Sequence, residues 1–174
     1  MRGFRPSILR SVSLPIFQPL PLVRRPAPFS HPDWLFEIKY DGFRGLAYLD
    51  ASGVRLISRN GNRFSSFSEL CAGLEFSLKA KNAILDGEIV CVDENGSSQF
   101  NNLLFRRGTP RFCAFDLLWL NGKDLRGLTL IERKRELRKL VPNDFPHVLY
   151  VDHIETEVND CSSWPVSAIS KASW

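Results

Sequence analysis

The segment Glu37-Ile38-Lys39-Tyr40-Asp41-Gly42-Phe43-Arg44 holds the side chains best suited to covalent chemistry. A lysine ends an apolar, β-favouring run, Trp34 to Lys39, and a turn carrying an acid and an arginine follows at once. A lysine partly desolvated there, close to other cations, has a lowered pKa, and its amine is free to attack an electrophile. Arg44 can meet the negative charge of a phosphate. The plainer reading is a surface lysine paired with Asp41. Taken alone, the segment favours the plainer reading.

The elements that must position these groups read as strands punctuated by turns. Phe43 to Leu49, the turn Asp50-Ala51-Ser52-Gly53 and Val54 to Ser58 form a hairpin pattern, and Asn60-Gly61 signals a further turn. Phe67 to Lys79 places Phe67, Leu70, Cys71, Leu74 and Leu78 at helical spacing. Ala83 to Val92 is a strand leaving through Asp93-Glu94-Asn95-Gly96, and Arg111 to Leu120 is a buried strand ending at Asn121-Gly122. Thr129 to Leu140 is a helix with Thr129 and Glu132 at capping-box spacing. Its basic run, Glu132 to Lys139, reads first as a solvated face and second as a DNA contact. Leu149 to Glu155 is one more strand. Hairpin-linked strands with few helices predict an α+β fold with antiparallel sheets.

Four motifs stand in order along this frame. Lys39 to Arg44 is K-x-D-G-x-R; Ser58-Arg59-Asn60-Gly61 is S-R-N-G; Leu85-Asp86-Gly87-Glu88-Ile89 carries D-G-E on a strand; Ala114-Phe115-Asp116-Leu117-Leu118 is a later aromatic motif. Together they resemble the covalent nucleotidyltransferases: DNA ligases, RNA ligases and mRNA capping enzymes. Trp34 to Gly45 and Phe112 to Gly127 are most similar to the adenylation domain of bacterial end-joining-type ATP-dependent DNA ligases. The resemblance covers roughly 31–157 and implies a nucleotidyltransferase (ATP-grasp-like adenylation) fold, incomplete at the C-terminus.

What the resemblance implies is adenylyl transfer. Lys39 is the catalytic nucleophile; Arg44 and Arg59 hold the ribose and phosphate side of ATP; Phe115 stacks on adenine; the backbone around Glu37 and Ile38 reads the base edge. Glu88 accepts from the ribose or helps hold a metal, Mg²⁺ or Mn²⁺. The implied partners are nicked double-stranded DNA and DNA-repair end-joining proteins, for a cytoplasmic monomer. Each residue also has a plainer role: Glu88 a strand-end acid paired with an arginine, Phe115 core packing, Arg59 an exposed turn charge, Asp86 a stabiliser of its own turn. A non-catalytic nucleotide- or DNA-binding remnant is the alternative from another class; an RNA-ligase or capping relative is the alternative within the same chemistry.

Composition narrows the field. The chain has 174 residues, is 44% hydrophobic and 24% charged, and carries a formal net charge of +4, near the average for a globular domain. Its longest apolar run, Phe112 to Leu120, is broken by Asp116, too short for a membrane helix. The 13 Phe and 4 Trp argue against disorder. Cys71, Cys91, Cys113 and Cys161 are scattered without metal spacing and read as reduced thiols. The positive charge sits in 1–30, where five arginines meet no acid and 6 of the 11 prolines fall. This Pro/Arg-rich leader reads as a loose extension, a phosphate-contacting arm or a transit-like segment.

The pattern breaks after Glu157. A strand carrying E-G-(I/L/V)-(V/M), a K-x-K strand and an oligonucleotide-binding-fold domain belong to the family pattern and are not found. Read one nucleotide out of phase, the tail after Glu157 permits an amphipathic helix followed by E-G-I-V. The expectation is a partial adenylation domain over 31–157 and an out-of-frame, non-family tail over 158–174, with impaired activity and exposed apolar edges. Sequencing the locus tests this: a downstream frame lacking the glutamate motif and K-x-K contradicts it.

Overall fold

The computed structural model describes residues 14–19, 34–143 and 145–154, and the backbone of 169–172. The leader arginines and residues 158–168 of the tail therefore lie outside the described residues. In chain order the elements are β1 (Leu35–Ile38), β2 (Phe43–Asp50), β3 (Gly53–Ser58), α1 (Ser68–Ser77), β4 (Ala83–Val90), α2 (Phe100–Leu104), β5 (Arg111–Leu120), β6 (Lys123–Asp124), α3 (Leu130–Leu140), β7 (Val148–Tyr150), β8 (His153–Ile154) and β9 (Ile169–Ala172).

They form two sheets. The larger runs β3-β2-β4-β5-β6, with β7 also on β5; the smaller is β8-β1-β9. All pairs are antiparallel except β5 with β7, which is parallel. That exception follows from α3, the crossover returning the chain beside β5. The single strand expected over Leu149 to Glu155 is instead two short strands in different sheets, parted at Val151 and Asp152. Five-residue α2 is too short to leave a helical period in the sequence.

Alternation along the strands separates two faces. Ala47, Leu49, Leu85, Ala114 and Leu117 point to the main core, where they meet Leu70 and Leu74 of α1 and Leu137 and Leu140 of α3. The opposite face carries Leu46, Tyr48, Ile84 and Leu118. Its apolar half is closed by the leader itself: Leu14 and Phe17 are buried on it, and the Phe17 N–H donates to the Tyr48 hydroxyl at 2.9 Å. The Arg126 guanidinium lies 3.9 Å from the Phe17 ring centroid, a cation–π contact. So the described part of the leader is packed rather than loose. Phe17→Ala is expected to cost about 3 kcal/mol of unfolding free energy in urea titration, as for other buried aromatics; an unchanged midpoint would show that 14–19 contributes nothing.

Candidate active site

The other half of that same face collects the charged residues. Arg44 lies two residues before Leu46, and Asp86 and Glu88 follow Ile84 at the same period, so all three point the same way. Arg44 stands directly opposite Glu88 in the ladder, and Glu88 opposite Cys113. Strand β5 is bulged here. Gly87 pairs with Ala114 while Asp86 pairs with Asp116, which leaves Phe115 as the extra residue. A bulge re-aims side chains, and this one places Asp116 opposite Asp86 and beside Phe115.

Three acids here, Asp86 and Glu37 buried and Asp116 partly so, each have a cation. Arg44 grips Asp86 through Nε–Oδ1 at 3.2 Å and Nη2–Oδ2 at 2.8 Å. Its guanidinium sits 5.4 Å from the Phe115 centroid. Arg133 of α3 grips Asp116 through Nε–Oδ1 at 2.8 Å and Nη2–Oδ2 at 2.9 Å, and donates to the Leu128 carbonyl at 2.7 Å. Glu37, on β1, is ion-paired with Lys134 of α3, whose Nζ also donates to the Val151 carbonyl at 3.0 Å. Burial, helped by the charges of Asp116 and Asp86, holds the Glu37 carboxyl above its ordinary range against the pull of Lys134.

Glu88 behaves differently. Burial pushes its carboxyl up to about 7, and Asp86 and Asp41 add to this, while Arg44 and Lys39 pull the other way. It is thus poised to exchange a proton near neutrality. A carboxyl raised from 4.5 to about 7 contributes its full stability below pH 4.5 and loses it as pH rises through 7. Glu88→Gln, which cannot ionise, is therefore expected to gain on wild type by about 2 kcal/mol at pH 8, after allowance for solvent screening, and by nothing at pH 4. Denaturant melts at the two pH values read this directly, and a pH-independent difference contradicts it.

Lys39 lies one residue past β1 and is exposed, with Glu88 among its charged neighbours. This corrects the expectation of a partly desolvated amine among cations. Ile38 alternates outward, 37% exposed. Tyr40 packs against Val90, Cys113 and Val151 and anchors the turn. Gly42 is required by close approach: a Cβ there would lie 2.1 Å from the Ile89 carbonyl oxygen and 2.9 Å from Val90 Cγ1. Arg44 thus meets Phe115 and stands opposite Glu88, and Lys39 lies within electrostatic reach of Glu88. Arg59 does not join them; it is exposed on the Ser58–Asn62 turn.

Sequence reasoning passed over four of these side chains. Asp86 is not a turn stabiliser but the partner of Arg44, and Asp116 is its neighbour across the ladder. Arg133 and Lys134 are buried rather than part of a solvated face; Arg135, Arg138 and Lys139 are exposed. The signal was present: Leu130, Arg133, Lys134 and Leu137 follow the i, i+3, i+4, i+7 stripe of a buried helix face. Among the described residues no group of three His, Cys, Asp or Glu side chains could by itself hold a metal ion.

Comparison with known proteins gives the same reading. The family model for the ATP dependent DNA ligase domain matches residues 26–171. The bifunctional non-homologous end joining protein LigD of Bacillus subtilis is 35% identical over 128 residues, covering 63% of this chain and 21% of that protein. The ligase domain of M. tuberculosis LigD superposes with a TM-score of 0.63 at 28% identity, over 77% of this chain and 45% of that one. A mycobacterial DNA ligase D complexed with ATP and MES superposes with a TM-score of 0.58 at 28% identity, over 71% and 41%. The chain spans between 14% and 21% of the length of the curated relatives it matches. With the family model covering most of its length, the chain belongs to the ATP-dependent DNA ligase domain family.

Proposed function

We propose that this chain carries out the adenylation step of an ATP-dependent DNA ligase, with Lys39 as nucleophile. The observation that carries the reading is the grouping of Arg44, Glu88 and Phe115 on three strands of the larger sheet, with Lys39, just past β1 of the smaller sheet, within electrostatic reach of Glu88. The Lys39 amine attacks the α-phosphorus of ATP, a phosphoramidate forms, and pyrophosphate leaves. The AMP then passes to a DNA 5′-phosphate, and the 3′-hydroxyl displaces it to seal the nick. Such transfers depend on positioning and charge neutralisation more than on covalent machinery. The exposure of Lys39 suits it, since the amine must reach a substrate.

Phe115, lifted by the bulge, stacks on the adenine, and the Glu37–Ile38 backbone reads its edge. Arg44 is held rigid by Asp86, pre-organised to meet phosphate or ribose oxygens. Glu88 accepts from a ribose hydroxyl when ionised. Asp86 and Asp116 already have guanidinium partners, so a divalent cation, Mg²⁺ or Mn²⁺, would rest on Glu88 and on the nucleotide's own phosphates, which suits a metal that needs few carboxylates. When bound it supplies charge neutralisation at those phosphates. The working context we propose is a cytoplasmic monomer acting on nicked duplex DNA beside end-joining repair proteins.

The test is incubation with α-labelled ATP and Mg²⁺, followed by detergent denaturation at alkaline pH, where a phosphoramidate survives. Label retained with ATP and not with GTP supports the ligase reading. Label with GTP alone selects a capping relative, and no label leaves a nucleotide- or DNA-binding protein.

A further inference from the structure

Lys134 is not used by the chemistry above. It is fully buried, 0% exposed, and faces the 6% exposed Glu37. Its ammonium meets the Glu37 carboxylate and the Val151 carbonyl and lies 5.2 Å from the Tyr150 ring centroid. The cation thus joins α3, β1 and the junction between β7 and β8.

The topology gives this contact a purpose. β1, which ends one residue before Lys39, belongs to the smaller sheet, whereas Arg44, Glu88 and Phe115 belong to the larger one. Reaction at phosphorus needs the amine held in line, so the two sheets must be fixed against each other. Tyr40 supplies apolar contact, which is non-directional. Directional ties come from adjacent residues of α3: Arg133 grips Asp116 on β5 of the larger sheet, and Lys134 grips Glu37 on β1 of the smaller. We infer that Lys134 is a positioning residue, the half of a two-cation bracket that holds the nucleophile's strand against the nucleotide-facing sheet. The inference rests on the adenylation reading.

Removing one partner of a buried pair strands a charge, whereas removing both in favour of apolar or neutral groups of similar volume is often tolerated. The informative variant is therefore Glu37→Gln with Lys134→Met, compared with wild type in single-turnover adenylation across ATP concentrations. The maximal rate is expected to fall about 30- to 100-fold, the range that a displacement of about 1 Å produces, while half-saturating ATP stays within about threefold. A folded double variant with the wild-type rate makes the pair purely structural and overturns the inference. So does an unchanged rate with raised half-saturation, which moves the role to nucleotide binding. If circular dichroism shows that the double variant does not fold, Lys134→Gln, which keeps a donor for Glu37 and Val151, is expected to slow the step about tenfold, and a wild-type rate there overturns the inference equally. Absence of label in wild type is separately visible, and removes the adenylation reading and this inference together.

Discussion

Arg44→Ala is expected to lose both fold stability and adenylation, by about 3–5 kcal/mol and about 100-fold or more respectively. The Arg44 and Asp86 side chains are 13% and 6% exposed, so the substitution leaves a buried carboxylate without its fork of donors. The loss does not stop there. The freed charge of Asp86 faces Asp116 across the ladder, and the cation over Phe115 disappears. Arg44→Lys separates the two effects. A lysine keeps the charge but not the bidentate geometry, so more of the stability is expected to return than of the activity. Urea unfolding and initial labelling rate, measured on the same preparations, read the two quantities. Equal recovery of both would mean that Arg44 serves the fold alone.

Gly42→Ala is expected to be the most damaging single-methyl change in the site. The added Cβ falls 2.1 Å from the Ile89 carbonyl oxygen, a backbone atom fixed in the ladder opposite Phe43. The turn must therefore lift away from β4. Overpacking of this kind costs about 1–3 kcal/mol, but the larger consequence is displacement of Lys39, three residues earlier on the same turn. A shift of about 1 Å costs about 100-fold in rate. The expected pattern is a modest drop in melting temperature with near-complete loss of labelling in a protein that still binds ATP. Wild-type labelling in Gly42→Ala would show that the turn has room to move without moving the nucleophile.

Much of this arrangement was readable in advance. Turn chemistry placed the β2–β3 hairpin at Asp50 to Gly53 and ended β5 at Asn121-Gly122, where φ is +48° and +89°, the two positive values a tight hairpin turn needs. The capping box at Thr129 formed, with the Glu132 carboxylate accepting from the Thr129 N–H at 2.8 Å. Cys71, Cys91 and Cys113 are free thiols, as their spacing implied. Of the residues named from motifs, Arg44 lies over Phe115 and opposite Glu88, and Lys39 is a charged neighbour of Glu88.

What stayed hidden depends on contacts between distant segments. The bulge that turns Phe115 out of β5 comes from a register shift between two strands, and neither strand's own sequence encodes that count. The ion pairs of Arg133 and Lys134 reach back 17 residues and 97 residues to Asp116 and Glu37, and a run of alternating charge resembles a solvated face until those partners are known. Residues 14–19 are apolar enough to pack, but prolines carry no period that reveals which face receives them.

The most direct measurement is the mass of the peptide bearing Lys39 after incubation with ATP and Mg²⁺ and proteolysis. The account predicts one adenylate on that peptide, attached at Lys39 through an acid-labile, base-stable phosphoramidate that an excess of pyrophosphate reverses. Lys39→Ala is predicted to carry none. Adenylate on another residue, or equal label in Lys39→Ala, would contradict it.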